Sequence, residues 1–526
     1  MTCKPHAKLI GLALLFVNGC PVSLAELQTR RADVTSWGAR GDGVTDDGAA
    51  LQRAIDRQPP GGELSFGDHS RVYLTSRQLV LRPDVAYTGS ATIRMMPGAA
   101  RGTQLAVLRY SQSDNVTIEG LTLDSGGVGG GLAVNVMGHG GRPALNVTIS
   151  GVTFRHTVES PKGAYDSAIY SPAGLSNSKV VGNVFEDCGS GISIANPEKL
   201  LIADNRFQRI YRGDAIFLTF SPGNEWAGHD IQILRNSGSH LGRMAIEVWA
   251  RQPTSAEAVT VRGNSFADWN PDARGNGFGI SMMTGQRAVV SDNTMIGRAE
   301  GLTFGIEMGA PGSVVEHNHV EGFRIGIALH SGAGTRLREN QLVRQDQAGI
   351  QITNAPGTKS GLLIENNVIS NAGHFGIWTN SEGWGESQVL NNKITRTAGA
   401  FGDDDGSSFI GIATSPPTEP VTVAGNTIVF SSDRPTPGFS FAGLKINGRP
   451  GANNGSVYRD NSVQSASGGP FGVGVLLNAQ GSADGLTLSG NRFEGLSAAM
   501  QGPASRGVVL RGNTVLRCAS PGLLVR

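Results

Sequence analysis

A strand–corner–strand pattern recurs along most of this sequence and constrains its fold more than any other feature. The stretch 313–332, SVVEHNHVEGFRIGIALHSG, shows one full unit: two short strands that meet at His317 and Asn318, a turn, and a third strand. Repeats of roughly 20–50 residues indicate a solenoid. The corner asparagine, with an apolar side chain soon after it, returns at Asn183, Asn205, Asn264, Asn293, Asn340, Asn367, Asn392, Asn426, Asn461, Asn491 and Asn513.

The third strand of each unit carries a Gly-Ile-x-Ile pattern, which returns at 191–194, 245–248, 279–282, 305–308, 349–352 and 376–378. The units alternate with period two, are rich in β-branched residues and lack helical periodicity, so they are built of strands and turns. Asparagine suits the corner because it tolerates the left-handed backbone conformation. Stacked coils would also let its amide hydrogen-bond from one coil to the next. We predict an all-β solenoid, a parallel β-helix.

Composition agrees with a solenoid and excludes one class of partner. The chain has 526 residues, but solenoids are not limited to ordinary domain sizes, so we predict one domain over 26–526 with regular coils over 116–526. Its 75 glycines are about twice average usage, as frequent corners require. The 44 Lys and Arg residues balance the 43 Asp and Glu residues and form no basic stripe, which argues against nucleic acid as a partner.

The N-terminus reads as a secretory signal peptide over residues 1–25. Lys4 and Lys8 precede an apolar run over 9–17, and small residues at 23–25 form a cleavage site after Ala25. A lipoprotein signal ending at Cys20 is the less favoured alternative, because Pro21 follows the cysteine directly. No later stretch is long and apolar enough to span a membrane. We predict an exported protein, secreted or periplasmic.

Two cysteines remain after this processing, Cys188 and Cys518. Each lies five residues after a corner asparagine, at Asn183 and Asn513, so both occupy the same position in coils near opposite ends. Coils stack at about 4.8 Å, and some dozen coils separate the two, so they are too far apart for a disulfide. We predict two free, inward-packed thiols.

The segment 33–66 is predicted to cover the first open coil. Within it, residues 38–55 read GARGDGVTDDGAALQRAI, in which Thr45, Asp46 and Asp47 can cap a helix. The helix would turn one apolar face to the solenoid, formed by Ala50, Leu51, Ala54 and Ile55. This segment resembles the N-terminus of the pectate-lyase-like superfamily, as in rhamnogalacturonase-type enzymes and alginate C5-epimerases.

The resemblance implies a single-stranded right-handed parallel β-helix with an N-terminal capping helix. It also implies that the Gly-Ile-x-Ile sheet forms the floor of a sugar-binding cleft. Asp42, Asp46 and Asp47 are expected to be structural. The strand at 213–218 is similar to a polygalacturonase strand, but Gly213 and Ser190 stand where that group has acids. An ordinary polygalacturonase or epimerase is therefore not expected.

The outward face of the Gly-Ile-x-Ile sheet is the predicted site. The residue between the two isoleucines points away from the core. Stacking the coils therefore places these residues in one row: Tyr170, Ser193, Phe217, Glu247, Ser281, Glu307, Ala328, Gln351, Trp378, Ala413 and Lys445. Exposed tryptophans beside carboxylates suit a sugar, which offers an apolar ring face and hydroxyls. The substrate-binding candidates are Tyr170, Trp249, Gln351, His374, Trp378 and Lys445.

Two chemistries fit the polar residues of this face. Glu247 and Glu307 lie two coils apart, about 9–10 Å between backbones, in the range of the acid and base of inverting glycosidases. Asp214 and His330 are within reach of that pair. A lyase would instead abstract a proton from a uronate and neutralise its carboxylate, a role that Arg243, Arg324, His330 and Lys445 can fill. The sequence leaves hydrolase and lyase open.

Cofactor signals are weak. The run Asp403, Asp404 and Asp405 could bind Ca²⁺ through clustered oxygens but lacks the spacing of a defined calcium loop. No cluster of His and Cys indicates zinc. We predict no required cofactor, with Ca²⁺ as a possible ligand.

These features predict an exported protein that cleaves an acidic, uronate-containing polysaccharide. The alternative is a non-catalytic β-helix that binds glycans, as tailspikes do, or takes part in exopolysaccharide assembly. Residues 522–526 continue the repeat without an evident cap. An open strand edge invites pairing, so a homo-oligomer through this last coil is also a prediction.

Overall fold

The structure is a computed structural model. It describes residues 15–17, 20–22, 31–99, 106–108, 114–127, 132–138, 142–157, 167–221, 228–250, 257–269, 277–297, 301–353, 360–380, 383–397, 408–417, 419–431, 439–448, 455–466, 469–479, 485–502 and 507–520. Near the N-terminus, the strands Leu15–Val17 and Cys20–Val22 pair antiparallel. The rest of the predicted signal peptide, the acidic run 403–405 and the end 521–526 lie outside the described residues.

Sheet A, as we name it, contains the strands that precede the corner asparagines. Neighbouring strands pair in parallel with those of the adjacent coil. Its strands are Arg31–Asp33, Gly62–Ser65, Val85–Thr88, Thr117–Glu119, Ala144–Leu145, Thr148–Ser150, Leu175–Val181, Glu198–Ala203, His229–Leu234, Glu257–Arg262, Val289–Ser291, Val314–Glu316, Arg336–Arg338, Leu363–Glu365, Gln388–Leu390, Thr422–Ala424, Val457–Arg459, Thr487–Ser489 and Val509–Arg511.

Sheet B contains the strands that follow the asparagines, again paired in parallel. Its strands are Asp42–Asp46, Val72–Thr75, Thr92–Met95, Thr122–Asp124, Thr153–Arg155, Val184–Cys188, Arg206–Ile210, Ser237–Leu241, Ser265–Trp269, Thr294–Ile296, His319–Glu321, Gln341–Val343, Val368–Ser370, Lys393–Thr397, Thr427–Ser431, Ser462–Ser465, Arg492–Glu494 and Thr514–Leu516.

Sheet C contains the Gly-Ile-x-Ile strands and completes each coil. Its strands are Leu79–Leu81, Ala106–Leu108, Val134–Val136, Ser167–Ser171, Ser190–Ala195, Ile216–Phe220, Met244–Ala250, Phe278–Met282, Phe304–Met308, Ile325–Leu329, Ala348–Ile352, Phe375–Thr379, Ser408–Thr414, Ser440–Gly448, Val473–Ala479 and Ala498–Gln501. Three parallel sheets around one apolar core form a parallel β-helix, as predicted.

The helix Gly48–Arg57 covers the N-terminal end, after a short 3-10 helix at Val34–Trp37. It buries the predicted face, Ala50, Leu51, Ala54 and Ile55. Gln52 also closes an open strand edge, because its Nε2 donates to Val80 O at 3.0 Å and its Oε1 accepts from Val80 N at 2.8 Å.

The acidic residues before this helix are structural in the described contacts. Asp46 accepts from Gly48 N, at the start of the helix, at 3.0 Å. Asp47 is the N-cap residue, but its side chain holds the preceding loop by accepting from Arg40 N and Gly41 N. Asp42 accepts from the backbone of Thr45 and Val44, and these bonds lower its pKa to about 2.

Buried asparagines link the coils, as predicted. Asn318 donates from Nδ2 to Asn340 Oδ1 at 3.0 Å and to Val290 O at 2.9 Å, and its own Oδ1 accepts from Asn293 at 2.9 Å. The ladder runs from Asn183 to Asn513 and includes one member that the sequence pattern missed, Asn236.

The reason given for asparagine at the corner was wrong. The left-handed residue is the one before it: His317 has φ 55°, and Asp292 and Glu339 occupy the same place before Asn293 and Asn340. The ladder asparagines are absent from the positive-φ residues of the described chain. Asparagine is required at this corner for its hydrogen bonds rather than for its backbone conformation.

The two cysteines agree with the prediction. Both are free, Cys188 buried and Cys518 partly buried. Each thiol lies against the equivalent backbone carbonyl of the preceding coil, Phe154 O at 3.8 Å and Phe493 O at 3.7 Å. Burial raises the pKa of the Cys188 thiol to about 11, so it is a poor nucleophile.

The ladder yields a test of stability. Asn318→Ala should lower the free energy of unfolding by at least about 3 kcal/mol, because it leaves several buried donors and acceptors unpaired. Urea unfolding followed by circular dichroism measures this. Gln388→Ala, at an exposed position in a sheet A strand, is the matched control and should change little. Equal effects from the two changes would refute the structural role of the ladder.

Candidate active site

Sheet C carries the predicted row of side chains, which we call the central row. Register pairs join its members from coil to coil in the predicted order, from Tyr170 through Glu247, Glu307 and Trp378 to Lys445. Although these side chains point away from the core, Glu247 is only 6% exposed and Glu307 only 8%. The predicted floor of the cleft is therefore largely shielded from solvent.

Asp214, Arg243 and Glu247 form one cluster at the N-terminal side of this row. Asp214 and Arg243 end the turns before the strands Ile216–Phe220 and Met244–Ala250, and Glu247 lies within the second strand. Arg243 Nη1 donates to Asp214 Oδ2 at 2.6 Å and to Glu247 Oε2 at 2.7 Å. Met244 N donates to Asp214 Oδ1 at 3.0 Å.

One guanidinium cannot balance two buried carboxylates. Burial raises the pKa of Asp214 to about 8, and the Glu247 charge adds to the rise against the opposing effect of Arg243. The short contact with Arg243 favours the ionised acid, but the burial of Asp214 outweighs this effect, and the Glu247 carboxylate adds to the rise. The pair, which we call the Asp214–Glu247 dyad, therefore holds one proton at neutral pH.

Glu307 is the centre of a second cluster. Ser281 Oγ donates to Glu307 Oε2 at 2.6 Å, and His330 Nε2 lies 2.8 Å from Glu307 Oε1. His330 Nε2 and Glu307 Oε1 are close enough for an ion pair, but their geometry does not meet the angle of a hydrogen bond. The other ring nitrogen, Nδ1, lies 3.0 Å from Thr353 Oγ1.

The two clusters lie on the same face of sheet C at a defined spacing. Glu247 pairs in register with Ser281, and Ser281 pairs with Glu307. Two steps between adjacent parallel strands separate the backbones of the two glutamates by about 10 Å. The sequence predicted this spacing, which is comparable to that between the acid and base of inverting glycosidases.

The other candidates lie away from these clusters. Arg324 Nε donates to Gln347 Oε1 at 3.0 Å on an exposed turn, so the structure does not bring it to the carboxylates. Trp249 is 40% exposed, beyond Glu247 on the same strand. The remaining candidates follow the register at greater distance: Tyr170 three strands before Glu247, Gln351 two strands after Glu307, Trp378 and His374 on the next coil, and Lys445 two strands further on.

The sequence prediction missed a second outward row, immediately before the glycines of the Gly-Ile pattern. Its register runs through Phe304, Ile325, Ala348, Phe375, Ile410 and Ala442. A large apolar residue before glycine was visible in the sequence at Phe304 and Phe375, but each strand was taken to begin at the glycine.

Metal and membrane features are limited to what the described residues show. No group of three or more His, Cys, Asp or Glu side chains in the described ranges could hold a metal ion. The calcium candidates Asp403, Asp404 and Asp405 lie outside those ranges. Among the described helices, none is long and apolar enough to cross a bilayer.

The fold is a parallel β-helix, and the outward face of sheet C carries buried carboxylates. Residues 252–428 match the family model described as "Right handed beta helix region". The chain is thus a right-handed parallel β-helix protein, which confirms the predicted fold and, at that level, the resemblance on which it drew. No curated protein matches the sequence significantly.

Several solved structures are similar to this chain at low sequence identity. The A-module of mannuronan C-5 epimerase AlgE6 from Azotobacter vinelandii is 16% identical over 92% of this chain and 98% of its own, with a TM-score of 0.33. The surface adhesin PfbA of Streptococcus pneumoniae is 13% identical over 80% and 93%, with a TM-score of 0.37. A tailspike of the E. coli bacteriophage HK620, solved with a pentasaccharide, is 13% identical over 96% and 82%, with a TM-score of 0.32. Likenesses this weak carry no argument about activity.

The raised pKa of Asp214 gives a testable dependence of stability on pH. The folded state holds this proton more tightly than the unfolded state, so stability falls as pH rises from about 4 to about 8. Asp214→Asn removes the proton and should flatten this part of the profile, by up to about 1.4 kcal/mol per pH unit. Urea unfolding at several pH values checks this, with Asp204→Asn at an exposed ion pair as control. Parallel profiles for wild type and Asp214→Asn would contradict the assignment.

Proposed function

We propose that this chain is an exported glycoside hydrolase that cleaves an acidic polysaccharide between the Asp214–Glu247 dyad and Glu307. The observation that carries the proposal is the placement of the Asp214–Glu247 dyad and a separate carboxylate, Glu307, on one face of sheet C, with the two glutamates two strands apart in register. The pKa of Asp214 is raised to about 8, so the dyad holds a transferable proton at neutral pH. Glu307 stands about 10 Å further along the row.

The roles follow from this arrangement. The dyad gives its proton to the glycosidic oxygen as the bond from that oxygen to the anomeric carbon breaks. Glu307 takes a proton from a water molecule, whose oxygen bonds to the anomeric carbon from the opposite side. Ser281 fixes one oxygen of Glu307, and His330 lies beside the other. The products are two shorter chains, and the configuration of the new reducing end is inverted.

The ion pairs of Arg243 favour hydrolysis over β-elimination. A lyase needs an uncompensated cation or Ca²⁺ to neutralise the uronate carboxylate. Arg243 is bonded to both Asp214 and Glu247, so its charge is already compensated. Arg324 donates to Gln347 on an exposed turn. Arg243, the arginine bonded to the carboxylates, is therefore not free to neutralise a uronate.

The acidic character of the substrate rests on basic side chains along sheet C. Arg324 and His374 precede the strands Ile325–Leu329 and Phe375–Thr379, and Lys445 lies in the central row. All three can meet carboxylates of a polymer that extends past the cleavage point. Export rests on the N-terminal sequence, with cleavage after Ala25 preferred to lipid attachment at Cys20.

The proposal predicts loss of turnover in two glutamine variants. Glu307→Gln and Glu247→Gln should each lower kcat/KM on the order of 10³-fold, because each removes one partner of the acid–base pair. Reducing ends measured during incubation with uronate-containing polysaccharides, with and without Ca²⁺, report the activity. Glu339→Gln, at an exposed ion pair with His317, is the control and should remain fully active.

Two further readouts separate the mechanisms. Ultraviolet absorbance of an unsaturated product would mean elimination and would overturn the hydrolase assignment. Proton NMR of the first product distinguishes inversion from retention, and retention would contradict the spacing of Glu247 and Glu307.

A non-catalytic glycan-binding protein is the second candidate. One observation favours it: Glu247 and Glu307 are both less than a tenth exposed and both already hydrogen-bonded. Binding of a polysaccharide without any new reducing end, unchanged in the two glutamine variants, would support this candidate over the enzyme.

A further inference from the structure

The residues before the glycines lie on the outer side of sheet C, because the glycines themselves face the core. A Cβ on Gly305 would lie 2.1 Å from Val320 Cγ1, and one on Gly376 would lie 2.6 Å from Ile394 Cγ2. Both contacts are with core side chains of sheet B. The residues before these glycines, Phe304 and Phe375, therefore point outward.

This outward row is apolar where solvent-facing strands are usually polar. Together with part of the central row it forms two clusters separate from the main core. The first comprises Ile325, Ala328 and Ala348, with Phe304 and Phe375 packed on it. The second comprises Ile410, Ala413 and Ala442, with Phe375, Trp378 and Leu476 packed on it. We call the two clusters together the apolar patch; none of its members carries a charge.

Aromatic rings on the patch remain partly accessible. Phe375 and Trp378 are half-buried, and their rings stack with centroids 4.6 Å apart at an angle of 14°. A flat aromatic surface of this kind suits the apolar face of a pyranose ring. The patch itself offers no charged side chain to a uronate carboxylate, whereas an uncharged sugar needs none.

The patch is continuous with the proposed site. Glu307, Ala328, Gln351 and Trp378 follow each other in register, so Trp378 lies three strand spacings, about 14 Å, from Glu307. A polymer that lies along the row at Glu307 therefore passes over Trp378 a few sugar units away.

We propose that the apolar patch binds uncharged sugar units of the substrate chain. The substrate is then a heteropolysaccharide that contains uncharged sugars as well as uronates, rather than a homopolymer of uronate. This proposal rests on the proposed function, which supplies the path of the polysaccharide along the row and its acidic units. It adds the class of sugar that occupies the patch.

Affinity electrophoresis with the Glu307→Gln variant tests the proposal, because that variant should bind without degrading the polymer. The probes are gellan and hyaluronan, which combine uronates with uncharged sugars, and polygalacturonate and alginate, which are uronate homopolymers. We expect the heteropolymers to retard the protein at concentrations on the order of 10-fold lower than the homopolymers. Adding Trp378→Ala should remove this preference by weakening the heteropolymer interaction about 10-fold.

Two matched variants separate stacking from charge and from misfolding. Trp378→Phe keeps a flat ring and should retain most of the preference. Lys445→Ala, two strands further along the row, should weaken both classes of polymer in a salt-dependent manner. Thermal unfolding of each variant confirms that the fold is intact.

The outcomes are distinct from those of the hydrolase proposal. Equal retardation by homopolymers and heteropolymers, an unchanged Trp378→Ala variant, or no retardation by any heteropolymer would overturn the patch assignment. Heteropolymer binding that depends on Trp378, with no reducing ends released by the wild-type protein, would uphold the patch and reject the hydrolase.

Discussion

Hydrogen bonding between buried asparagines of successive coils is the interaction on which the rest of this structure depends. Each amide bonds the next asparagine and a backbone carbonyl, so every coil repeats the position of its neighbour. That fixed register places residues far apart in sequence one strand spacing apart in space. Glu247, Ser281 and Glu307 line up for this reason, and the proposed acid–base spacing is a property of the ladder as much as of the face.

Much of this architecture was predictable because period-two alternation and the Gly-Ile pattern assign every strand residue to the inside or the outside. The asparagine ladder, the free cysteines and the central row follow from that repeat, whereas the capping helix follows from its own apolar face and the polar residues before it. Asn236 escaped because Ser237 and Gly238 follow it where other corners have an apolar residue. The outward row containing Phe304 and Phe375 was not predicted, because the glycine and the isoleucine after it both face the core. Two successive inward residues break simple alternation.

The electrostatics of the site were beyond the sequence. Asp214, Glu247 and Arg243 were each expected on the face, but only side-chain placement shows that one guanidinium serves both acids. A free Arg243 would have suited a uronate carboxylate, whereas a shared one leaves a proton on the dyad. The low exposure of Glu247 and Glu307 was also unpredicted, because burial depends on how whole side chains and loops pack above a strand and not on the strand's own pattern.

The indole of Trp269 links the interior of the solenoid to the proposed chemistry. Its Nε1 donates to the backbone carbonyl of Arg243, in the turn before a sheet C strand, at 2.8 Å. Its ring packs edge-on against Phe323 in the core. The position of the shared guanidinium is thus set in part by residues that no substrate touches. A change in packing around Phe323 would therefore shift Arg243 and alter the pKa of the Asp214–Glu247 dyad. Grafting only the outward-facing residues onto another β-helix would not reproduce that pKa.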